Sequence, residues 1–287
     1  MMQSEHAGQR NLQQSGAARQ RNIQHATNIK KRSMRRKKAR RMRRIKRIFV
    51  AAIILLVVFA AGRTSFVQGF LNHWNVKSET TLTAEGYPES LVQLYEKNEE
   101  ARQFVLDYKK NGNNEQPIDI SSDVTDGKIP LFLQWDERWG YRTYGDNFLA
   151  ITGCGPTALS MVYVGLTGDT SMNPYAVAQM AQEDGFYVNG SGSSWSMMTE
   201  LATKLGLSAQ ELSLNEDSIR QELSQGHPII CIMGPGDFTT SGHFVVLTGV
   251  DSEGKITVND SNSKKNSNKA WKIEDLMSQI RDLWVYQ

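Results

Sequence analysis

Polar and apolar positions divide the 287-residue chain into stretches with different periods. Residues 1–29 show no period and are rich in Gln, Asn, Ala and Arg, a composition that predicts disorder. Ile48 to Gly62 is an unbroken apolar run, and residues 67–87 are a polar stalk. From Pro88 to Lys110 the pattern is helical. Leu91, Leu94, Tyr95, Ala101, Val105 and Tyr108 form one stripe, Pro88 opens it and Gly112 closes it. Asn111 to Lys128 reads as loop, and Ile129 to Leu133 as a short strand or sheet edge. In Ile151 to Leu166, Gly153-Cys154-Gly155 is a turn and Pro156 opens a helix, with Leu159, Val162, Tyr163 and Leu166 on its buried face. Further helices are predicted from Asn173-Pro174 to near Gly185, from Trp195 to Leu205 and from Asn215 to Gln225, with a Gly/Ser loop over residues 186–194.

The pattern then changes period. Residues 228–233, 244–250 and 255–258 are β-branched strands, the last two joined by an Asp251–Gly254 hairpin turn. A short helix near Ile273 to Ile280 and a strand from Leu283 to Tyr286 complete the chain. Helices first and strands second predict an α+β fold, with a helical half carrying Cys154 and an antiparallel sheet following it.

Charge alters the reading of the first 66 residues. Residues 1–47 hold 16 Lys/Arg and one acid, a balance of +15, while the remainder holds 17 Lys/Arg and 29 acids, a balance of −12. Thirteen of the 18 residues from Lys30 to Arg47 are basic. Standing alone, that block would suggest nucleic acid. Against an apolar run it is a positive-inside signal suited to anionic headgroups, and no nucleic-acid partner is expected. The apolar run of 15 residues is short for a span of about 20, which snorkelling by Arg47 and Arg63 or extension into Thr64–Val67 can make up. The expected organisation is a basic cytoplasmic tail over 1–47 and a single-pass anchor over 48–66. A stalk over 67–127 and an extracellular globular domain over 128–287 follow. Secretion after signal cleavage is the alternative.

Cys154 is placed at or just before the N-terminus of a buried helix, where the macrodipole and unpaired N–H groups favour a thiolate. A cysteine nucleophile needs a base and a group to orient that base. His243, after Ser241-Gly242 at the mouth of a strand, suits the base better than His227, which lies in a helix-to-strand turn. Asp260 lies at the end of the strand that the hairpin pairs with the His243 strand. It can accept from the imidazole, although a plain turn role beside Asn259 and Ser261 is open to it. The Cys154 N–H is a natural candidate for one oxyanion donor and a side-chain amide from elsewhere would be a second; Gln134 is a candidate that its position alone does not pick out. Two cysteines cannot form a disulfide framework. The chain shows no metal-spaced Cys/His cluster, so neither metal nor cofactor is called for. Cys231, in an apolar strand, reads as a core residue, though a blocking Cys154–Cys231 disulfide is an alternative outside the cell.

Gln134, Cys154, His243 and Asp260 occur in the order found in papain-like cysteine peptidases. The strings Pro130-Leu-Phe-Leu-Gln-Trp-Asp-Glu-Arg-Trp139, Tyr144-Gly145-Asp146, Gly153-Cys-Gly-Pro-Thr-Ala-Leu-Ser-Met161, Leu205-Gly206 and Gly242-His-Phe-Val-Val-Leu-Thr-Gly249 resemble the family related to bacteriocin-processing, double-glycine leader peptidases. The resemblance covers about 128–287. It implies Cys154 as nucleophile, His243 as base, Asp260 as orienter and Gln134 as oxyanion donor, with Asp136 and Trp139 structural. Leader peptidases of this kind are fused to exporters, whereas no Gly-x-x-x-x-Gly-Lys-Ser/Thr phosphate loop occurs in this sequence. The expected function is therefore a bacterial, membrane-anchored extracellular cysteine peptidase acting on a peptide or cell-wall peptide. A cell-wall amidase or transpeptidase with the same residues, or a non-catalytic surface binding module, is the alternative. Trp195 and the Gly190–Ser194 loop could wall a substrate groove.

Overall fold

Ile229–Met233 (β6) is apolar at every position because it is the middle strand of a sheet covered on both faces. Five antiparallel strands run in the order β5-β9-β6-β7-β8, with β5 Ala209–Glu211, β7 His243–Val250, β8 Ile256–Asp260 and β9 Ile280–Tyr286. The edge strand β8 shows the alternation that a one-sided contact produces: Ile256, Val258 and Asp260 are buried and Thr257 and Asn259 half-buried. The structure is a computed structural model that describes residues 77–287. The basic tail and the expected anchor over 48–66 lie outside these residues. Among the described residues no helix is long and apolar enough to cross a membrane.

Alternate residues of β6 feed two cores. Ile230 and Ile232 join the core beneath α5 Cys154–Thr167, together with α6 Pro174–Glu183 and α7 Met197–Lys204. Ile229, Cys231 and Met233 face the opposite core, closed by α8 Glu216–Ser224 and α9 Ile273–Met277. Caps foreseen from composition are in place, with the Asn173 side chain accepting from Tyr175 and Ala176 N–H and Asn215 from Ser218 N–H.

A third core answers what the stalk does. Residues 77–127 belong to the same compact unit as the rest. Leu91, Val92, Tyr95, Phe104 and Val105 from this segment pack with Trp135, Tyr141 and Ala150. Phe104 stacks on Tyr141 with ring centroids 4.1 Å apart, and the Tyr141 hydroxyl donates to Phe104 O at 2.6 Å.

Several local expectations are corrected. The single helix over Pro88–Lys110 is interrupted: α2 Glu89–Lys97 ends at Asn98, a 3-10 turn covers Glu99–Ala101, and α3 Arg102–Asn111 resumes. Helix α1 Glu79–Ala84 precedes them. Ile129–Leu133 is not a strand; the Asn259 side chain holds this segment beside β8 by donating to Ile129 O and Pro130 O. The loop over 186–194 contains a small hairpin of β3 Tyr187–Val188 and β4 Gly192–Ser193. A similar pair, β1 Thr143–Tyr144 and β2 Asn147–Phe148, leads into the one-turn helix α4 Leu149–Thr152.

Candidate active site

Cys154 is the first residue of α5, and the glycines on either side of it permit tight packing. A Cβ on Gly153 would collide with Leu149 of the preceding turn, and one on Gly155 would lie 2.7 Å from Ser193 Oγ. The glycines thus serve close approach of α4 and the β3–β4 hairpin. Cys154 as a residue is half-buried, although its thiol sits in a desolvated environment.

His243 opens β7 and Asp260 closes β8, and the register that pairs Val245 with Asp260 brings the two ends together. His243 Nε2 lies 2.7 Å from Asp260 Oδ1, with both side chains buried. With Nε2 engaged there, Nδ1 is the ring nitrogen left to face Cys154, whose thiolate is favoured by His243 and by the nearby Phe244 and Gly155 N–H groups. Burial opposes a charged His243, but the hydrogen bonds to Asp260 and Cys154 outweigh it and raise the imidazole pKa to about 10. Burial likewise opposes ionisation of Cys154 and Asp260. In both, the His243 contact wins and the pKa falls below the ordinary value. The three directions agree on one state: thiolate, imidazolium and carboxylate.

Gln134 is 4% exposed and fully built into this neighbourhood. Its Nε2 donates to Ala150 O at 2.7 Å, four residues before Cys154, and its Oε1 accepts from Ser261 Oγ at 3.0 Å, one residue after Asp260. Its own N–H donates to Ser261 O at 2.8 Å. A primary amide has two N–H donors; the second has no protein partner among the described residues. Trp139 is buried and donates to Leu133 O, while Asp136 takes Arg138 in a salt bridge at 2.8 Å.

Other candidates separate from this cluster. His227 pairs with Glu222 at 2.7 Å across a helix-to-strand turn. Cys231 is free, fully buried and on the far core, so it cannot bridge to Cys154, and burial pushes its thiol well above the usual range. Trp195 is exposed beside Trp284, with ring centroids 6.3 Å apart. Sequence reasoning passed over Ser261 and Asn266, whose Nδ2 donates to Asp260 Oδ2 at 2.8 Å. The signal available for Ser261 was the run Asp260-Ser-Asn-Ser263, typical of side-chain-closed turns, which stops short of Asn266. Asp260 in fact does both jobs weighed for it, since its Oδ1 also accepts from Asn262 N–H at 2.8 Å.

An α+β unit in which a helix-terminal thiol meets an imidazole at the end of an antiparallel sheet has the papain-like cysteine peptidase fold. Residues 127–287 match the Peptidase_C39 like family, and the chain belongs to that family of cysteine peptidases. Among solved structures, the peptidase domain of Streptococcus ComA, described as a bi-functional ABC transporter involved in a quorum-sensing pathway, is similar. It shares 20% identity at a TM-score of 0.36 over 47% of this chain and 89% of that one. No curated protein matches the chain at a significant level.

Proposed function

We propose that this chain hydrolyses peptide bonds through Cys154 and His243, with Asp260 orienting the imidazole. The carrying observation is the buried His243–Asp260 pair at 2.7 Å facing a thiol whose pKa is lowered by the same histidine. The thiolate attacks the amide carbonyl, and the Cys154 N–H with the second N–H of Gln134 holds the oxyanion. Protonated His243 gives its proton to the leaving amine, then draws one from the water that releases the acyl-enzyme. The tail and apolar run ahead of residue 67 anchor the enzyme, with the peptidase domain outside the membrane and the basic tail against anionic lipid. The substrate is a peptide of that compartment.

The test needs no substrate. In the full-length protein, alkylation of Cys154 by iodoacetamide is followed against pH by peptide mass spectrometry. Reactivity persisting well below the usual thiol pKa, and lost in His243→Ala, supports the pair. Hydrolysis adds a second limit. It rises with pH through the lowered Cys154 pKa and falls as His243 loses its proton at about 10, whereas alkylation stays high there. Ordinary thiol behaviour at Cys154 would leave a binding module as the working function.

A further inference from the structure

Residues 77–126 precede the segment that the family covers, yet two of them bond directly to the turn carrying Asp260. The Glu100 carboxylate accepts from Ser263 Oγ at 2.6 Å, Lys264 N–H at 2.9 Å and Lys265 N–H at 3.3 Å. Asn98 Nδ2 donates to Asn262 O at 2.8 Å and to Asn262 Oδ1 at 2.9 Å. Inside the same turn, Asn262 N–H and Asn266 Nδ2 each donate to one oxygen of Asp260, and the Asp260 N–H donates to Ser267 Oγ. Residues 262–267 therefore set where the Asp260 carboxylate points, and Asn98 and Glu100 grip that turn from outside.

The break in the amphipathic helix has the same explanation. Asn98 is extended (φ −130°, ψ 100°), and leaving the helix there gives up backbone hydrogen bonds. No Pro or Gly lies between Glu89 and Asn111 to force it. Locally, Asn98 Oδ1 caps the new 3-10 turn by accepting from Glu100 N–H at 2.9 Å; what the break further supplies is the reach of Asn98 and Glu100 across more than 160 residues of sequence to the Asp260 turn. We propose that Asn98 and Glu100 are positioning residues for the peptidase reaction: through the turn at 262–266 they hold the Asp260 carboxylate against His243, so that the functional catalytic unit begins before residue 127. The inference rests on the Cys154–His243–Asp260 reading above.

The experiment compares full-length wild type with Glu100→Ala, Glu100→Gln and Asn98→Ala by the pH dependence of Cys154 alkylation. Protection of the buried Cys231 in the same digests reports that the fold is intact. A looser Asp260 stabilises the imidazolium less, so the Cys154 midpoint moves up. For Glu100→Ala we expect about one pH unit, a roughly tenfold loss of alkylation rate at pH 6, with Cys231 still protected. Glu100→Gln, which keeps one acceptor oxygen, shifts less, and Asn98→Ala shifts in the same direction. Curves for Glu100→Ala and Asn98→Ala that superimpose on wild type, even with lowered melting temperatures, overturn the proposal. A shift accompanied in both variants by alkylation of Cys231 is unfolding and overturns it too. A wild-type low-pH limb with unmoved variants sinks the positioning role alone, whereas absence of that limb in wild type sinks the peptidase reading and this inference together.

Discussion

In the proposed mechanism one amide of Gln134 serves two purposes. One N–H and the carbonyl are committed to Ala150 O and Ser261 Oγ, which tie the turn before Cys154 to the turn after Asp260. The remaining N–H is the one available to an oxyanion. Replacing Gln134 with Ala should lower turnover of a peptide selected by library screening about a hundredfold, the usual cost of one oxyanion donor. It should also cost about 1–3 kcal/mol in stability, because two buried groups lose partners. The low-pH limb of Cys154 alkylation should survive, since His243 and Asp260 are untouched. Loss of that limb, or unchanged turnover, would remove Gln134 from the oxyanion role. Residues differ in how visible they were beforehand. Cys154 and His243 stand at a helix start and a strand mouth, both readable from neighbours. Gln134 was proposed only through a family resemblance, because its partners lie 16 and 127 residues away and no local pattern records them.

Elements that bury a continuous apolar run were easiest to foresee. Strands β6, β7 and β8 and their hairpin follow from β-branched stretches punctuated by Asp251–Gly254, and α6 and α8 from Asn caps. The two-residue strands were invisible because a pair of residues carries no period. The helix break at Asn98 was hidden for a different reason: the apolar stripe continues through it, and although Asn98 caps the following 3-10 turn by accepting from Glu100 N–H, its amide N–H groups go to a partner 164 residues away. The β3–β4 hairpin shows how such a minor element bears on the site. Gly155 lets Ser193 approach α5 directly behind Cys154, and Ser193 is held there by the Tyr144 hydroxyl at 2.8 Å. Gly155→Ala would place its Cβ 2.7 Å from Ser193 Oγ and 2.9 Å from Ser193 Cβ, and Ser193 is too short to swing clear. The expected cost is about 1–3 kcal/mol of overpacking strain, read as a lower denaturant midpoint. Paired with Ser193→Gly, which removes the two nearest obstructing atoms and leaves only the flexible end of Met197 at 3.0 Å, the added cost of Gly155→Ala should shrink relative to Ser193→Gly alone. Independent, additive effects of the two substitutions would show that this contact is not what requires glycine at 155.

At the scale of the molecule, residues 77–126 pack into the same compact unit as the family-matched region. Its third core is not closed on itself: Phe104 stacks on Tyr141, Tyr141 bonds back to Phe104 O, and Ala150 of α4 lies in the same cluster. Ala150 in turn supplies the carbonyl that holds Gln134. A separate stalk would leave the Cys154–Asp260 region indifferent to a cavity made 50 residues upstream; a shared core transmits it. Phe104→Ala deletes a fully packed ring and should cost about 3–5 kcal/mol, which for a unit of this size lowers the melting temperature by about 10 °C. The readout separates the two arrangements because residues 77–127 contain no tryptophan, whereas Trp135, Trp139, Trp195, Trp271 and Trp284 all follow residue 127. In a Trp74→Phe, Trp135→Phe background, which removes the tryptophan ahead of residue 77 and the one packed in the third core, tryptophan fluorescence reports unfolding of the family-matched region, and far-ultraviolet circular dichroism reports all the helices. Coincident transitions, both displaced downward in Phe104→Ala, are the outcome expected of a single unit. A fluorescence transition left at the wild-type temperature while part of the helical signal melts early would mean that the upstream helices only rest on the peptidase region, and Asn98 and Glu100 could not then hold its aspartate in place.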